Sequence, residues 1–233
     1  DAQTGVKMLF NDKELAEEMA GHGLQFSSAN SINIGRLVPQ VVYYVYAYAQ
    51  LLKEEKPVIR MLVNCAGYGI MGDFSEGDRT ELLGMIDLNC RSLTEMTYLC
   101  IAYMRKNSRI IQLASSAAFL PQPDFAVYAA SKSYVYSFSR ALARELAPRG
   151  IYVTAVCPGP VDTPFFDIAE KNGSTLAIKK LAIAKADKVV RKAIADSYKK
   201  KERSVYGRVI KGFELLAKAV PHEMILKAMS YMK

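Results

Sequence analysis

Short apolar runs alternate along this chain with stretches of helical period. GVKMLF (5–10) reads as a strand, and Asn11 can cap a helix over DKELAEEMA that Gly21 stops. LQFSS (24–28) suits another short strand. VVYYVYAYAQLLKEEK (41–56) begins with the aromatic and β-branched content of a strand and ends with a helical pattern. VIRMLVNCAG (58–67) is a buried-strand run ending in a small-residue turn; the segment around 78–106 is helical; RIIQLASS (109–116) is a second buried strand. A helix covers roughly 125–147, stopped by PRG at 148–150, and IYVTAVCPGP (151–160) is a strand running into a Pro/Gly turn. ADKVVRKAIADSYKKK reads as the next helix and SVYG (204–207) as the last edge strand. Strands and helices alternating at this pitch imply βαβ units, hence an α/β fold: a doubly wound parallel sheet between two helical layers.

Length and composition narrow this further. A chain of 233 residues is one domain with a substantial core, and no apolar run is long enough to span a bilayer. The first residues lack a basic-then-apolar leader pattern, so a cytoplasmic protein is expected. Cys65, Cys90, Cys100 and Cys157 are far apart with mostly apolar neighbours and read as small buried thiols; no metal site is expected, and His22 and His222 are too distant to build one. Of the thirty-one Lys/Arg, sixteen lie from Lys171 onward, together with only five of the twenty-three Asp/Glu. The C-terminal quarter therefore sets the basic charge.

The candidate chemistry centres on VYAASK (127–132). Ligands of open parallel sheets collect beyond the carboxyl ends of the strands, and here three strands end in distinctive turns: NCAG (64–67), ASS (114–116) and CPGP (157–160). Tyr128 and Lys132 are four residues apart, on one face of a helix, with small residues Ala129, Ala130 and Ser131 between them. A free phenol, with a pKa of about 10, exchanges protons poorly at neutrality; a lysine cation one turn away is expected to lower that pKa. Tyr128 could then exchange a proton with a carbonyl or alcohol oxygen held by Ser115, while a nicotinamide ring handles the hydride. Each residue also has a bland role, as strand-end turn, helix cap or amphipathic pair; the agreement of five spacings favours the functional one.

In these motifs the sequence resembles the short-chain dehydrogenase/reductase family over roughly residues 58–207. NCAG stands at the family's NNAG turn, DLNC brings Asn89 to the position of its helix asparagine, LASS places Ser115 thirteen residues before Tyr128, and CPGPVDTPF (157–165) is similar to its PG-x-V-x-T segment. The resemblance implies a Rossmann-like three-layer α/β/α sheet. It implies Ser115, Tyr128, Lys132 and Asn89 as catalytic residues. For the cofactor, NADP(H) or NAD(H), it implies Asn64, Ala66, Gly67, Pro158, Gly159, Val161 and Thr163 beside Tyr128 and Lys132. It further implies a small apolar ketone or alcohol as substrate, with an acyl-linked one as a variant, and a homodimer or homotetramer paired through the long helices.

The chain departs from the family at its start. The family's T-G-x-x-x-G-x-G phosphate loop has no counterpart, because TG at 4–5 is followed by VKMLF. GVKMLF falls where the second family strand should lie, so the chain is expected to begin after the first βα unit. The division expected is 1–207 for the sheet domain and 208–233 for a basic amphipathic helical extension. In the segment 163–185, Phe165, Phe166 and Ile168 either face an apolar substrate or pack in the core. In the extension, Val209, Ile210, Phe213, Leu216 and Val220 form an apolar stripe opposite Arg208, Lys211 and Lys218. That stripe would pack on the domain or a partner subunit, attach peripherally to an anionic membrane, or steer acidic substrates. Nucleic-acid binding is not expected. The rival to the enzyme is a catalytically silent fold of the same family acting as a membrane-associated or partner-binding module.

Overall fold

The computed structural model describes residues 48–170, 172 and 183–230. The expected strands at 5–10 and 24–28, the helix between them, and the question of a phosphate loop all fall outside these residues. The tyrosine-rich 41–47 does too; 48–55 is helical (α1), as the second half of that stretch predicts.

The next elements are β1 Ile59–Asn64, α2 Arg79–Ile86, a wide π-turn Asp87–Ser92, α3 Leu93–Ile101, β2 Met104–Leu113, a 3-10 turn Ser116–Phe119 and α4 Ala126–Leu146. They are followed by β3 Tyr152–Val156, β4 Val161–Asp162, α5 Phe165–Ala169, β5 Ala184–Lys185, α6 Ala186–Tyr198, β6 Arg203–Ser204, α7 Arg208–Ala219 and α8 His222–Ser230. The main sheet runs β1-β2-β3-β6 with every pairing parallel. β4 and β5 form a separate parallel pair.

Alternation along the strands explains why both faces are covered. Ile110 packs with Leu142 and Leu146 of α4, whereas its neighbour Ile111 packs with Val189 and Ala193 of α6. The turn after α4 ends on Gly150 at φ +67, a left-handed position that glycine takes without steric cost.

Three expectations are corrected. Residues 104–106, read as the end of a helical segment, open strand β2 instead. Their polar sequence suits a helix surface, but Met104 pairs with Ile59 and the Ser108 hydroxyl donates to the Ile59 carbonyl at 2.8 Å, so pairing with β1 overrides local preference. The last strand is Arg203–Ser204, shorter and earlier than 204–207. Cys65 is exposed and Cys90 only half-buried; Cys100 and Cys157 are buried, and all four are free thiols.

The tail differs as well. The buried line of α7 is Ile210, Glu214 and Ala217, flanked by Phe213, while Val209 and Leu216 are about half exposed. The helix is rotated from the expected stripe because Glu214 points inward, paired with Arg203 and with Lys218 at 2.6 Å. Ile210 enters the same core as Val135, Ala155 and Cys157 and covers Gly159, where an added Cβ would meet Ile210 Cδ1 at 2.3 Å. Gly159→Ala is therefore expected to cost about 1–3 kcal/mol through overpacking. In urea denaturation the Gly159→Ala/Ile210→Ala double variant should lose less stability than the two single losses summed.

Candidate active site

The segments named by the sequence converge at the carboxyl ends of β1, β2 and β3. Ser115 follows β2 in extended conformation and caps the 3-10 turn, its Oγ accepting from the Ala117 N–H at 3.2 Å. Across from it lies the Tyr128 phenol, close enough for the Ser115 hydroxyl to act on its ionisation. One turn along α4, the Lys132 ammonium lies 5.6 Å from the Tyr128 ring centroid and donates to the Leu113 carbonyl, at the end of β2, at 2.9 Å. Lys132 is 4 % exposed and Tyr128 7 %.

Asn89 sits in the π-turn, fully buried. Its Nδ2 donates to the Tyr68 carbonyl at 2.9 Å and to Ser131 Oγ at 3.0 Å, while its Oδ1 accepts from the Tyr68 N–H at 3.1 Å. Ser131 in turn donates to the Tyr128 carbonyl at 2.8 Å. The π-turn fits its sequence: the Ser92 hydroxyl donates to the Asp87 carbonyl five residues back, at 2.9 Å. Asn89 thus braces the loop after β1 against the helix that carries Tyr128.

The ionisation of the pair differs from expectation. Burial pushes the Tyr128 phenol up to about 12, against a smaller lowering by the nearby Ser115 hydroxyl. Burial brings the Lys132 ammonium down to about 8. Desolvation therefore outweighs the attraction of the cation for a phenolate. At neutrality the phenol holds its proton, and the lysine is the group that titrates near the physiological range.

Other candidates take their places around this cluster. Ala66 is exposed just beyond β1, and Gly67 leaves room that a Cβ would fill, 2.7 Å from Asn89 Oδ1 and 3.2 Å from Lys132 Nζ. Asn64 is turned inward instead, its Nδ2 donating to Gln112 Oε1 at 2.8 Å and Thr97 Oγ1 at 3.0 Å. The Pro158 carbonyl accepts from the Ser116 N–H at 2.8 Å, joining the Pro/Gly turn to the serine loop. Val161 belongs to β4, and Thr163 is exposed, its Oγ1 on the Val161 carbonyl at 3.4 Å.

Phe165 lies against the Tyr128 ring at 5.4 Å between centroids; Phe166 is buried edge-on to Phe165, and Ile168 packs with the Tyr68–Met71 cluster. Phe125 stacks on Tyr128 as well, with ring centroids 4.3 Å apart. Two residues that pattern reading missed matter here. Ser131 bridges Asn89 to the Tyr128 backbone, although within YAASK it read only as a small spacer. Gly69 lets its loop cross the Tyr128 ring, since a Cβ there would lie 2.7 Å from Tyr128 Cδ2; the signal was a second glycine two residues after NCAG.

Gly67→Ala tests the tightness of this arrangement. The added methyl must displace Asn89 or Lys132, so a stability loss of about 1–3 kcal/mol in chemical denaturation is expected. An unchanged midpoint would show that the loop yields freely.

Comparison with known proteins bears on the family and the fold. The sequence profile described as short chain dehydrogenase matches residues 43–173. An uncharacterised oxidoreductase of Staphylococcus epidermidis is 34% identical over 108 residues, 46% of this chain and 47% of that protein. A putative ketoacyl reductase of monensin polyketide synthase from Streptomyces virginiae is 40% identical over 126 residues, 52% of this chain and 48% of that protein. The chain spans about half the length of these relatives. Among solved structures, a Sphingobium yanoikuyae short-chain dehydrogenase in complex with NADPH superposes with a TM-score of 0.58 at 23% identity, over 68% of this chain and 63% of that one, a likeness of fold. A Burkholderia cenocepacia short chain dehydrogenase in complex with NADP gives 0.55 at 25% identity, over 69% and 65%. With the profile covering more than half its length and the motif residues gathered at the strand ends of a parallel sheet, the chain belongs to the short-chain dehydrogenase family.

Proposed function

We propose that this protein is an NAD(P)-dependent oxidoreductase interconverting a small apolar ketone and its secondary alcohol. The observation that carries the reading is the approach of the Tyr128 phenol to the Ser115 hydroxyl in a buried cluster that also contains the Lys132 ammonium. The S. virginiae relative's name, ketoacyl reductase, supports carbonyl chemistry, and the NADP and NADPH complexes of the structural neighbours support NADP(H) over NAD(H).

A bound nicotinamide dinucleotide supplies or accepts the hydride. Tyr128 acts as the acid: its phenol keeps a proton at neutrality and gives it to the carbonyl oxygen in the reductive direction. The Ser115 hydroxyl holds that oxygen. Lys132 has three donor positions, one of them on the Leu113 carbonyl, so others remain for a ribose hydroxyl. Asn89 positions the loop and helix that flank the reaction. Ala66, Gly67, Val161 and Thr163 would border the dinucleotide. Pro158 and Gly159 shape the nicotinamide-side turn, and Asn64 acts through the fold beneath it.

An exposed aromatic face supports assembly. Tyr98 is 79 % exposed on α3, and on α4 the half-exposed Tyr134 stacks on Phe138 and hydrogen-bonds Thr94 at 2.8 Å. These two helices suit two-fold pairing into a homodimer or homotetramer.

A second reading, the silent scaffold, is favoured by the way Phe125 and Phe165 pack about the Tyr128 ring, and by Leu215 and Met224 exposed on α7 and α8. No described helix is long and apolar enough to cross a membrane.

Tyr128→Phe should reduce ketone-dependent NADPH oxidation by at least about 10²-fold with unchanged far-UV circular dichroism. Undiminished turnover would overturn the enzyme reading. For wild type, kcat/KM for reduction should decline as pH rises through about 8, where Lys132 loses its charge; Lys132→Arg should move that limb upward. Titration with NADPH separates the two readings, because a scaffold that binds anionic vesicles through Leu215 and Met224 has no need of the dinucleotide.

A further inference from the structure

A cavity of about 930 Å³ runs along β6, the edge strand of the main sheet among the described residues, between α6 and α7 and beside α4. It is separate from the Ser115–Tyr128–Lys132 cluster. Seven Lys/Arg and three Asp/Glu line it. Its volume falls within the range of small-molecule pockets, roughly 300–1,000 Å³.

The carboxylates in this groove are already committed. Asp196 is 4 % exposed and receives Lys192 at 2.6 Å, Lys201 at 2.9 Å and the Ser204 hydroxyl at 2.8 Å. Burial alone would raise its pKa, but these partners hold it down to about 2, so it stays ionised. Glu214, 7 % exposed, pairs with both Arg203 and Lys218. Glu202 is met from outside the groove by Arg144 at 2.8 Å. Each of the two buried carboxylates thus fixes two cations and can neutralise only one.

Three further cations have no carboxylate partner among the described residues. Arg140 is steadied by the Tyr136 ring, 5.5 Å from its centroid, and Lys200 by the Tyr152 ring at 4.6 Å. Lys211 projects from the exposed side of α7. Aromatic rings orient these groups without cancelling their charge. A set of like charges held in fixed positions around one concavity carries a repulsion that an anion relieves.

We propose that this groove is a binding site for a small polyanion bearing two or more phosphate groups. Arg140 and Arg203 offer forked donors matched to phosphate oxygens, and the lysines supply point charges around them. The inference does not depend on the oxidoreductase reading.

The test is isothermal titration of the full chain with sodium tripolyphosphate at low ionic strength. One saturable site is expected, weakening as salt is raised. Arg140→Glu and Lys211→Glu should each weaken binding roughly tenfold, since a charge-assisted contact is lost in each. Both positions are exposed, and Arg140→Gln and Lys211→Gln provide milder versions that should weaken it in the same direction. Tripolyphosphate should also raise Tm of the wild type more than that of the Arg140→Glu/Lys211→Glu double variant. Absence of saturable binding would overturn the proposal. So would equal affinity in wild type and double variant, which would assign the phosphate to diffuse surface charge or to the dinucleotide site.

Discussion

A lysine ammonium taken out of water must find partners or lose its charge, and much of this structure is arranged around that requirement at Lys132. Its hydrogen bond to the Leu113 carbonyl fixes α4 against the end of β2. That fixed distance brings Tyr128 to Ser115, which leaves the same strand two residues later. The neighbouring loop must stay thin, so glycine occupies position 67. Asn89 then closes the arrangement, satisfying the backbone of Tyr68 on one side and Ser131 on the other. Serine loop, tyrosine helix and asparagine turn are therefore one mechanical unit.

The sheet supplies the rigidity that this unit needs. Ile110 and Ile111 point to opposite helical layers, so β2 is clamped from both faces and its carboxyl end has little freedom. The last helices are part of that clamp. α7 shares a core with β3 and α4 through Ile210 and Ala217, and Phe213 reaches Phe119 in the turn after Ser115, 6.5 Å between ring centroids. The chain after 207 is thus joined to the domain by packing as well as by sequence.

The sequence revealed the parallel α/β order, because buried strands bounded by small-residue turns carry a strong local signal. It also revealed Ser115, Tyr128, Lys132 and Asn89 as a set that the fold gathers. What escaped it depends on partners distant in the chain. MRKNS became strand through β1, and the face of α7 turned because Arg203 draws Glu214 inward. The π-turn is a geometric shift of one residue that helical periodicity cannot register. The direction of the Tyr128 pKa was missed for a similar reason. A lysine four residues away is visible in the sequence; the aromatic wall formed by Phe125 and Phe165 is visible only in three dimensions.

The seating of Ile210 on Gly159 also bears on how the molecule comes into being. Synthesis proceeds from the amino end, and domains tend to fold as units. A nascent chain that has completed its third strand still has an open flank over that turn. The flank is covered only when α7 leaves the ribosome, so the turn at the rim of the site takes its shape after the strands beneath it.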